Sequence, residues 1–282
     1  MPRRVAITGA AGQLGRELVR SFGNVGDDVL ALSRPAFDLT DVADLERITA
    51  WRPDVVVNAA AWTDVDACAR DPERAMLING SAAGAVARAA AHAGALAVQI
   101  STNEVFDGTL DRAYVEDDLA NPINPYGASK LAGERAVAAA DAQHLVVRTA
   151  WLYGAGERNF PGKILGVAER MVAEGRPLRV VADEWGNPTD VRWLSLAVRN
   201  LVSLTIAGSA GFGIHHLAGE PATTRLDWAR EILRDSPVVL EPMRLEDYSR
   251  DSTVPLRAIL DVSGAAGLGI DPLDWRLRPG GR

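Results

Sequence analysis

The sequence predicts an α/β protein: a doubly wound parallel sheet with a smaller C-terminal lobe. Three observations carry that expectation. Short β-branched apolar runs alternate with helical stretches through the first 150 residues. A glycine-rich turn joins the first of those runs to the first helical stretch, and the alternation loosens after Trp151. Strand and helix in strict succession argue for parallel strands with helices on both faces, because a parallel pair needs a crossover.

The elements follow in order. Residues 5–8, VAIT, have the length and branching of a buried parallel strand and feed directly into TGAAGQLG. There Gly9, Gly12 and Gly15 are spaced as G-x-x-G-x-x-G ahead of the helical RELVRSF. Glycines in a strand-turn-helix let the backbone approach a pyrophosphate that then sits over the helix N-terminus, the Rossmann-type arrangement for dinucleotides. A purely structural turn is the other reading of the same residues. The second strand, residues 29–32, ends in Ser33 and Arg34, where an acidic residue would hold the ribose 2′-hydroxyl of NAD. An arginine suits a 2′-phosphate, so NADP(H) is favoured and NAD(H) stays open, as does an Arg34 that simply faces solvent. A third strand, residues 54–58, runs into Ala59, Ala60 and Ala61, small enough for a flat cofactor to lie against the backbone or for tight helix–sheet packing. A helix over residues 72–92 carries Asn79, a fourth strand covers 96–100 and ends in Ser101 and Thr102, and a fifth covers 145–149. Beyond Trp151, helical stretches at 163–174 and 194–205 and short strands at 178–181 and 213–217 are punctuated by prolines. The expected division is a dinucleotide-binding domain at 1–150 and a substrate lobe at 151–282, with segments returning to the main sheet.

Composition narrows the function. At 282 residues, with 48% hydrophobic and 24% charged residues, the chain has the make-up of a globular protein with a large core. A net charge of −7 gives no reason to expect nucleic acid as a partner. One cysteine, Cys68, and four histidines support neither a disulfide framework nor a metal site. MPRR leads straight into VAIT, and no apolar run approaches the ~20 residues that span a bilayer. A cytoplasmic protein with no membrane partner is the expectation. No G-x-S-x-G, H-E-x-x-H or C-x-x-C pattern points to a hydrolase or metalloenzyme.

The chemistry concentrates in YGASKLAGE, residues 126–134, which follows Pro122 and Pro125 and should open a helix. Tyr126 and Lys130 are four residues apart and share a face. An ammonium beside a phenol stabilises the phenolate, which would bring a group that ordinarily ionises near pH ~10 closer to neutral. The pair then handles a proton at a carbonyl or hydroxyl oxygen. On spacing alone, a solvated helix start with a chance Tyr and Lys reads equally well.

Taken together, TGAAGQLG, NAAAWTDVD, STNEVFDG, YGASKLAGE, RTAWLYG and DEWGNPT make the chain resemble the extended short-chain dehydrogenase/reductases, and among them the dTDP-4-dehydrorhamnose reductase family. The resemblance covers nearly the whole chain. It implies Thr102, Tyr126 and Lys130 as catalytic residues. It also implies cofactor contacts from Gly12, Gln13, Leu14, Asp38, Leu39, Ala61, Trp62 and Thr63, with Tyr126 and Lys130 joining them at the nicotinamide end, and Trp151 against a nucleotide-sugar substrate. The reaction implied is reduction of a C4 ketone, with homodimer formation left open.

The chain departs from the family pattern in two regions. Asn103 and Glu104 stand where the reductases read Asp-Tyr after the Ser-Thr, which places both beside the substrate and leaves the sugar and its stereochemistry open. Related 4,6-dehydratases carry an acidic residue at the position of Glu104. Val254, Pro255, Leu256, Arg257 and Ala258 replace the family's R-P-x-x-S. Two alternatives therefore accompany the reductase: a dehydratase or epimerase using Glu104 as base, and a non-catalytic cofactor-binding subunit.

Overall fold

In the computed structural model, which describes residues 2–140, 143–154, 156 and 159–277, the chain folds around a six-stranded, wholly parallel sheet. Its strands are β1 (Arg4–Thr8), β2 (Asp28–Leu32), β3 (Val55–Asn58), β4 (Leu96–Thr102), β5 (His144–Thr149) and, from far later in the chain, β10 (Gly213–His216). The spatial order is β2-β1-β3-β4-β5-β10. From β1 the chain steps outward to β2 and then returns to the other side of β1 as β3, so the winding reverses between β1 and β3. In such sheets ligands bind at the carboxyl ends of the strands where this reversal occurs.

Strands β1, β3, β4 and β5 read as near-continuous apolar runs because both faces are covered. On one face Leu14, Leu18 and Phe22 of α1 (Gln13–Gly23) pack with Leu194, Val198 and Leu201 of α8 (Val191–Ile206) over Val5, Ile7, Val57 and Val98. On the other, Ile48 of α2 (Val42–Trp51), Val86 and Ala90 of α5 (Ala82–Ala93) and Val137 of α6 (Pro125–Ala140) cover Ala6, Val56 and Ala97. Helix α3 (Val65–Arg70) precedes α4 (Pro72–Ala75). The helix expected over 72–92 is interrupted: α4 passes into a π-helical segment, Met76–Ser81, before α5 begins.

The remaining elements form a smaller lobe and its connections. They are β6 (Leu152–Tyr153), α7 (Phe160–Ala173), β7 (Leu178–Val181), β8 (Trp185–Gly186), β9 (Thr189–Asp190), β11 (Thr223–Thr224), α9 (Arg225–Ile232), β12 (Leu240–Met243) and α10 (Ser263–Gly267). Three two-stranded pairs, β6 with β9, β7 with β12 and β8 with β11, take the place of a second sheet. The lobe has its own core of Ile164, Leu178, Val180 and Leu226, and an aromatic cluster of Tyr153, Trp228 and Trp275. Helix α8 and strand β10 return to the main sheet from within this half of the chain. Among the described residues no helix is long and apolar enough to cross a membrane.

Candidate active site

At the switch point the turn after β1 presses against the end of β3. Gly9 has φ +67, and a Cβ there would come within 2.7 Å of the Ala60 amide nitrogen. A Cβ on Gly15 would sit 2.1 Å from the Gly9 carbonyl oxygen, so α1 starts as close to the turn as backbone allows. Helix α1 is capped by Gly12, with no side chain taking its first amides. Its positive end is therefore open to an anion.

That end opens onto a cavity of about 470 Å³ lined by Gly9, Gly12, Ser33, Arg34, Asp38, Leu39, Ala60, Ala61 and Trp62. All nine were expected at the cofactor. Of the other expected contacts, Leu14 and Gly15 are buried in the core behind the turn and Thr63 is exposed beside the cavity. The Gln13 side chain has a buried Nε2 with no partner, and that nitrogen lies 3.1 Å from where a Cβ on Gly154 would stand. The cavity also uses Phe37, Arg74, Leu77 and Ile78, which sequence reading passed over. Arg74 lies 4.9 Å from the Trp62 ring, a cation–π contact. Arg34 is exposed and has no ion pair among the described residues. Asp38 accepts from the amide and hydroxyl of Thr40 at 2.9 and 2.7 Å, which holds its carboxyl below the usual range.

These features fit a dinucleotide phosphate cofactor. An uncapped helix end faces the cavity, two guanidinium groups line it, and three successive alanines make one flat wall. Phosphate favours cations and free amides, and flat rings favour small side chains.

Thr102 ends β4 and Tyr126 and Lys130 lie on the first turns of α6, all three buried. The Thr102 side chain lies close enough to the Tyr126 hydroxyl to ease its ionisation, so both hydroxyls can address one oxygen. Lys130 Nζ donates to the Ile100 carbonyl at 2.7 Å. Burial pulls the Lys130 ammonium down to about 8. Tyr126 departs from the expectation that its lysine would ease ionisation: burial, reinforced by the Glu104 carboxylate, pushes its hydroxyl above the ordinary value, and the neighbouring Thr102 side chain only partly offsets this. The tyrosine therefore holds its proton throughout the neutral range.

Helix α6 sits close enough to the turn after β4 that a Cβ on Gly127 would fall 2.0 Å from the Glu104 carbonyl oxygen. Asn124 organises this junction. Its Oδ1 accepts from the Gly127 amide at 2.7 Å, while Nδ2 donates to Glu104 Oε2 at 2.7 Å and to the Thr253 carbonyl at 2.9 Å. Enclosure by protein pushes the Glu104 carboxyl up to about 7, with the Glu184 carboxylate adding to the shift and Arg250 and Arg225 opposing it.

Two residues expected at the substrate have partners within the chain. Asn103 is buried. Its amide donates to the Ala258 carbonyl at 2.9 Å and its Oδ1 accepts from Thr102 at 3.3 Å, so it straps down the C-terminal segment. Trp151, at φ +43, carries the Arg225 guanidinium 3.5 Å from its ring centroid, so this face meets a cation first.

Other residues position the site through contacts that the sequence did not disclose, Asn79 having been named there without a role. Asn79, in the π-helical segment, accepts from the Trp62 amide at 2.8 Å and donates to the Trp62 carbonyl and Ser129 Oγ, both at 3.0 Å. It joins the cavity wall to α6. Glu134 of α6 forms a buried two-pronged pair with Arg148 of β5, at 2.8 and 3.0 Å, and also accepts from Ser101 Oγ. The two-pronged geometry and the added hydroxyl satisfy both charges where burial would otherwise cost several kcal/mol, roughly.

The chain matches the family described as the RmlD substrate binding domain over residues 3–278. It is 39% identical over 280 residues to a dTDP-4-dehydrorhamnose reductase of Streptomyces griseus, covering 97% of this chain and 90% of that protein. Among solved structures it is similar to a dTDP-4-dehydrorhamnose reductase of Clostridium acetobutylicum, with TM-score 0.91, 32% identity and coverage of 97% and 96%. It is also similar to the Bacillus anthracis dTDP-4-dehydrorhamnose reductase solved in complex with NADP, with TM-score 0.90, 29% identity and coverage of 98% and 97%. The chain belongs to the extended short-chain dehydrogenase/reductases, in the RmlD family of dTDP-4-dehydrorhamnose reductases.

Proposed function

We propose that this protein reduces the C4 ketone of a nucleotide-activated 4-keto-6-deoxysugar, with a dTDP-linked sugar as substrate and NADPH preferred over NADH. The observation that carries this reading is the placement of Thr102 and Tyr126, both buried, together at the carboxyl end of β4, beside a cavity suited to a dinucleotide. A nicotinamide cofactor supplies hydride when bound. Thr102 and Tyr126 bind and orient the ketone oxygen. Because Tyr126 keeps its proton at neutral pH, it can donate that proton as charge develops on the oxygen. Lys130, anchored to Ile100, holds the helix and its own positive charge beneath the reacting groups. Gln13 and the open end of α1 serve the cofactor phosphates, and Arg34 the 2′-phosphate. The reading includes a cytoplasmic enzyme whose dinucleotide domain comprises 1–150 and whose lobe comprises 151–282, completed at the sheet edge by β10.

A second reading has one observation in its favour. The Glu104 carboxyl, at about 7 and beside Tyr126, has the poise of a general base, as a dehydratase or epimerase would require. The deciding experiment offers NADPH and NADH with dTDP-, GDP- and UDP-linked 4-keto-6-deoxysugars and follows reduced cofactor. Net NADPH consumption with the dTDP sugar is expected, and a Tyr126→Phe variant should be slower by roughly 10² to 10⁴ with cofactor affinity retained. Conversion of a sugar without net cofactor change would select the dehydratase or epimerase. Cofactor binding with no conversion of any sugar would select the non-catalytic subunit.

A further inference from the structure

Beside the proton-handling residues, the substrate lobe presents a charged pair whose hydrogen bonding is incomplete. Arg225 opens α9 and Glu184 immediately precedes β8. Arg225 Nε and Nη2 both donate to the same oxygen, Glu184 Oε1, at 3.3 and 3.0 Å. Among the described residues, Glu184 Oε2 and Arg225 Nη1 have no hydrogen-bond partner. The pair is not sealed: the side chains keep 11% and 21% of their surface, respectively. Trp151 fixes it in place. The indole packs so closely on β8 that a Cβ on Gly186 would lie 2.4 Å from it, and the Arg225 guanidinium stacks 3.5 Å from the indole centroid. Arg225 also reaches Phe160 at 5.2 Å. Trp185, next to Glu184, donates its amide to the Leu256 carbonyl at 2.7 Å, on the same 253–258 segment that Asn124 and Asn103 hold against Glu104 and Thr102, and both charges of the pair act on Glu104.

We propose that Glu184 and Arg225 bind neighbouring hydroxyl groups of the substrate's sugar ring, the free carboxylate oxygen accepting from one hydroxyl and the free guanidinium nitrogen donating to the other. Charge decides between this ligand and the diphosphate. The pair is neutral overall, Glu104 is either neutral or negative, and Arg250, the other cation that acts on Glu104, is paired with Asp66 at 3.1 Å. A diphosphate needs excess positive charge, and it would be repelled by Glu184 as strongly as it was drawn to Arg225. A neutral ring with adjacent hydroxyls matches an adjoining acceptor and donor and does not disturb the ion pair. The assignment rests on the sugar-nucleotide reading of the site, and it makes the pair determinants of specificity for hydroxylated over deoxygenated sugars.

The test is calorimetric titration of the full chain with dTDP, with a dTDP-6-deoxyhexose, and with that sugar nucleotide's 2-deoxy and 3-deoxy analogues. It is run on wild type, Glu184→Gln and Arg225→Met, with thermal melting to establish that each variant is folded. Wild type should bind the fully hydroxylated sugar nucleotide about tenfold tighter than at least one deoxy analogue, as expected for a hydrogen bond to a charged group. That preference should fall to about threefold in Glu184→Gln and to within about twofold in Arg225→Met, with dTDP affinity constant to within about twofold throughout. Equal weakening of dTDP and sugar nucleotide in Arg225→Met would assign Arg225 to the diphosphate and overturn the proposal. A hydroxyl preference that survives in both folded variants would reduce the pair to a brace for Trp151 and overturn it equally. Failure of the underlying reading is distinct: wild type would then bind no sugar nucleotide more tightly than dTDP.

Discussion

Lys130 donates from Nζ to the main-chain carbonyl of Ile100 at 2.7 Å, so the residue expected to tune Tyr126 also fastens helix α6 to strand β4. Its burial has a consequence for pH dependence. In the unfolded chain the ammonium persists to its ordinary 10.5, whereas in the fold it is lost near 8. Between those values the unfolded state holds more protons, so this group makes stability rise with pH across that window. Below it, the buried charge opposes folding. Lys130→Met is therefore expected to abolish turnover at every pH while flattening the rise in stability between pH 8 and 10. Urea unfolding of both proteins at intervals through that range is the measurement, and parallel curves would show that Lys130 is not the group responsible.

Arg34 lines the cavity close to Ser33 and Asp38; its charge acts on the Asp38 carboxylate, but it makes no ion pair among the described residues. Asp38 is occupied with Thr40. A free guanidinium at this point suits a second phosphate, through charge-assisted hydrogen bonds. Arg34→Ala should raise KM for NADPH by about tenfold or more, leave KM for NADH nearly unchanged and leave kcat with either cofactor intact. An unchanged ratio of the two KM values would pass the discrimination to Ser33 or to Arg74.

What the sequence disclosed and what it concealed divide along separation in the chain. Strands β1, β3, β4 and β5 were legible because buried parallel strands are uniformly apolar, and the cavity was legible because Gly9, Gly12 and Ala60 follow their strands directly. Tyr126 and Lys130 share a face by helical period alone. Asn79 was hidden because the π-helical segment that aims it has no compositional mark, and its partners lie 17 and 50 residues away. The Glu184–Arg225 pair spans 41 residues, and the Asn103 bond to Ala258 spans 155. Asn103 was expected at the sugar because it stands where the family reads Asp, and its bond to Ala258 could not be read from so distant a partner.

Asn79 is the most heavily engaged of these hidden residues, bonded to both main-chain groups of Trp62 and to Ser129. Removing it leaves the Trp62 amide without its partner and unties Trp62 from Ser129 of α6, whose hydroxyl keeps its bond to the Tyr126 carbonyl. Asn79→Ala should cost about 2–3 kcal/mol of stability and raise KM for NADPH several-fold, because the Trp62 wall is freed from α6. A purely structural residue would lower stability without moving KM. Steady-state kinetics at a temperature where the variant remains folded separates the two.

Glu104 decides between the two enzymatic readings, and its environment makes the decision measurable. Its carboxyl titrates at about 7 in the fold, against an ordinary value of 4.5. Between those values the folded state keeps a proton that the unfolded state has lost, so this group makes stability fall as pH rises through the window. Glu104→Gln should abolish that slope and be the more stable protein above pH 7. It also removes a negative charge that raises Tyr126, so the alkaline limb of the turnover profile should move to lower pH. In a reductase the one proton required comes from Tyr126, and the variant should retain much of its turnover. In a dehydratase or an epimerase at C3 or C5, a carboxylate must remove a proton next to the ketone, which an amide cannot do at a useful rate. Reaction in deuterated water followed by analysis of the sugar distinguishes them. Deuterium confined to the exchangeable hydroxyl is expected for wild type and variant alike. Carbon-bound deuterium at C3 or C5 in wild type that is lost in Glu104→Gln would make Glu104 the base and overturn the reductase reading.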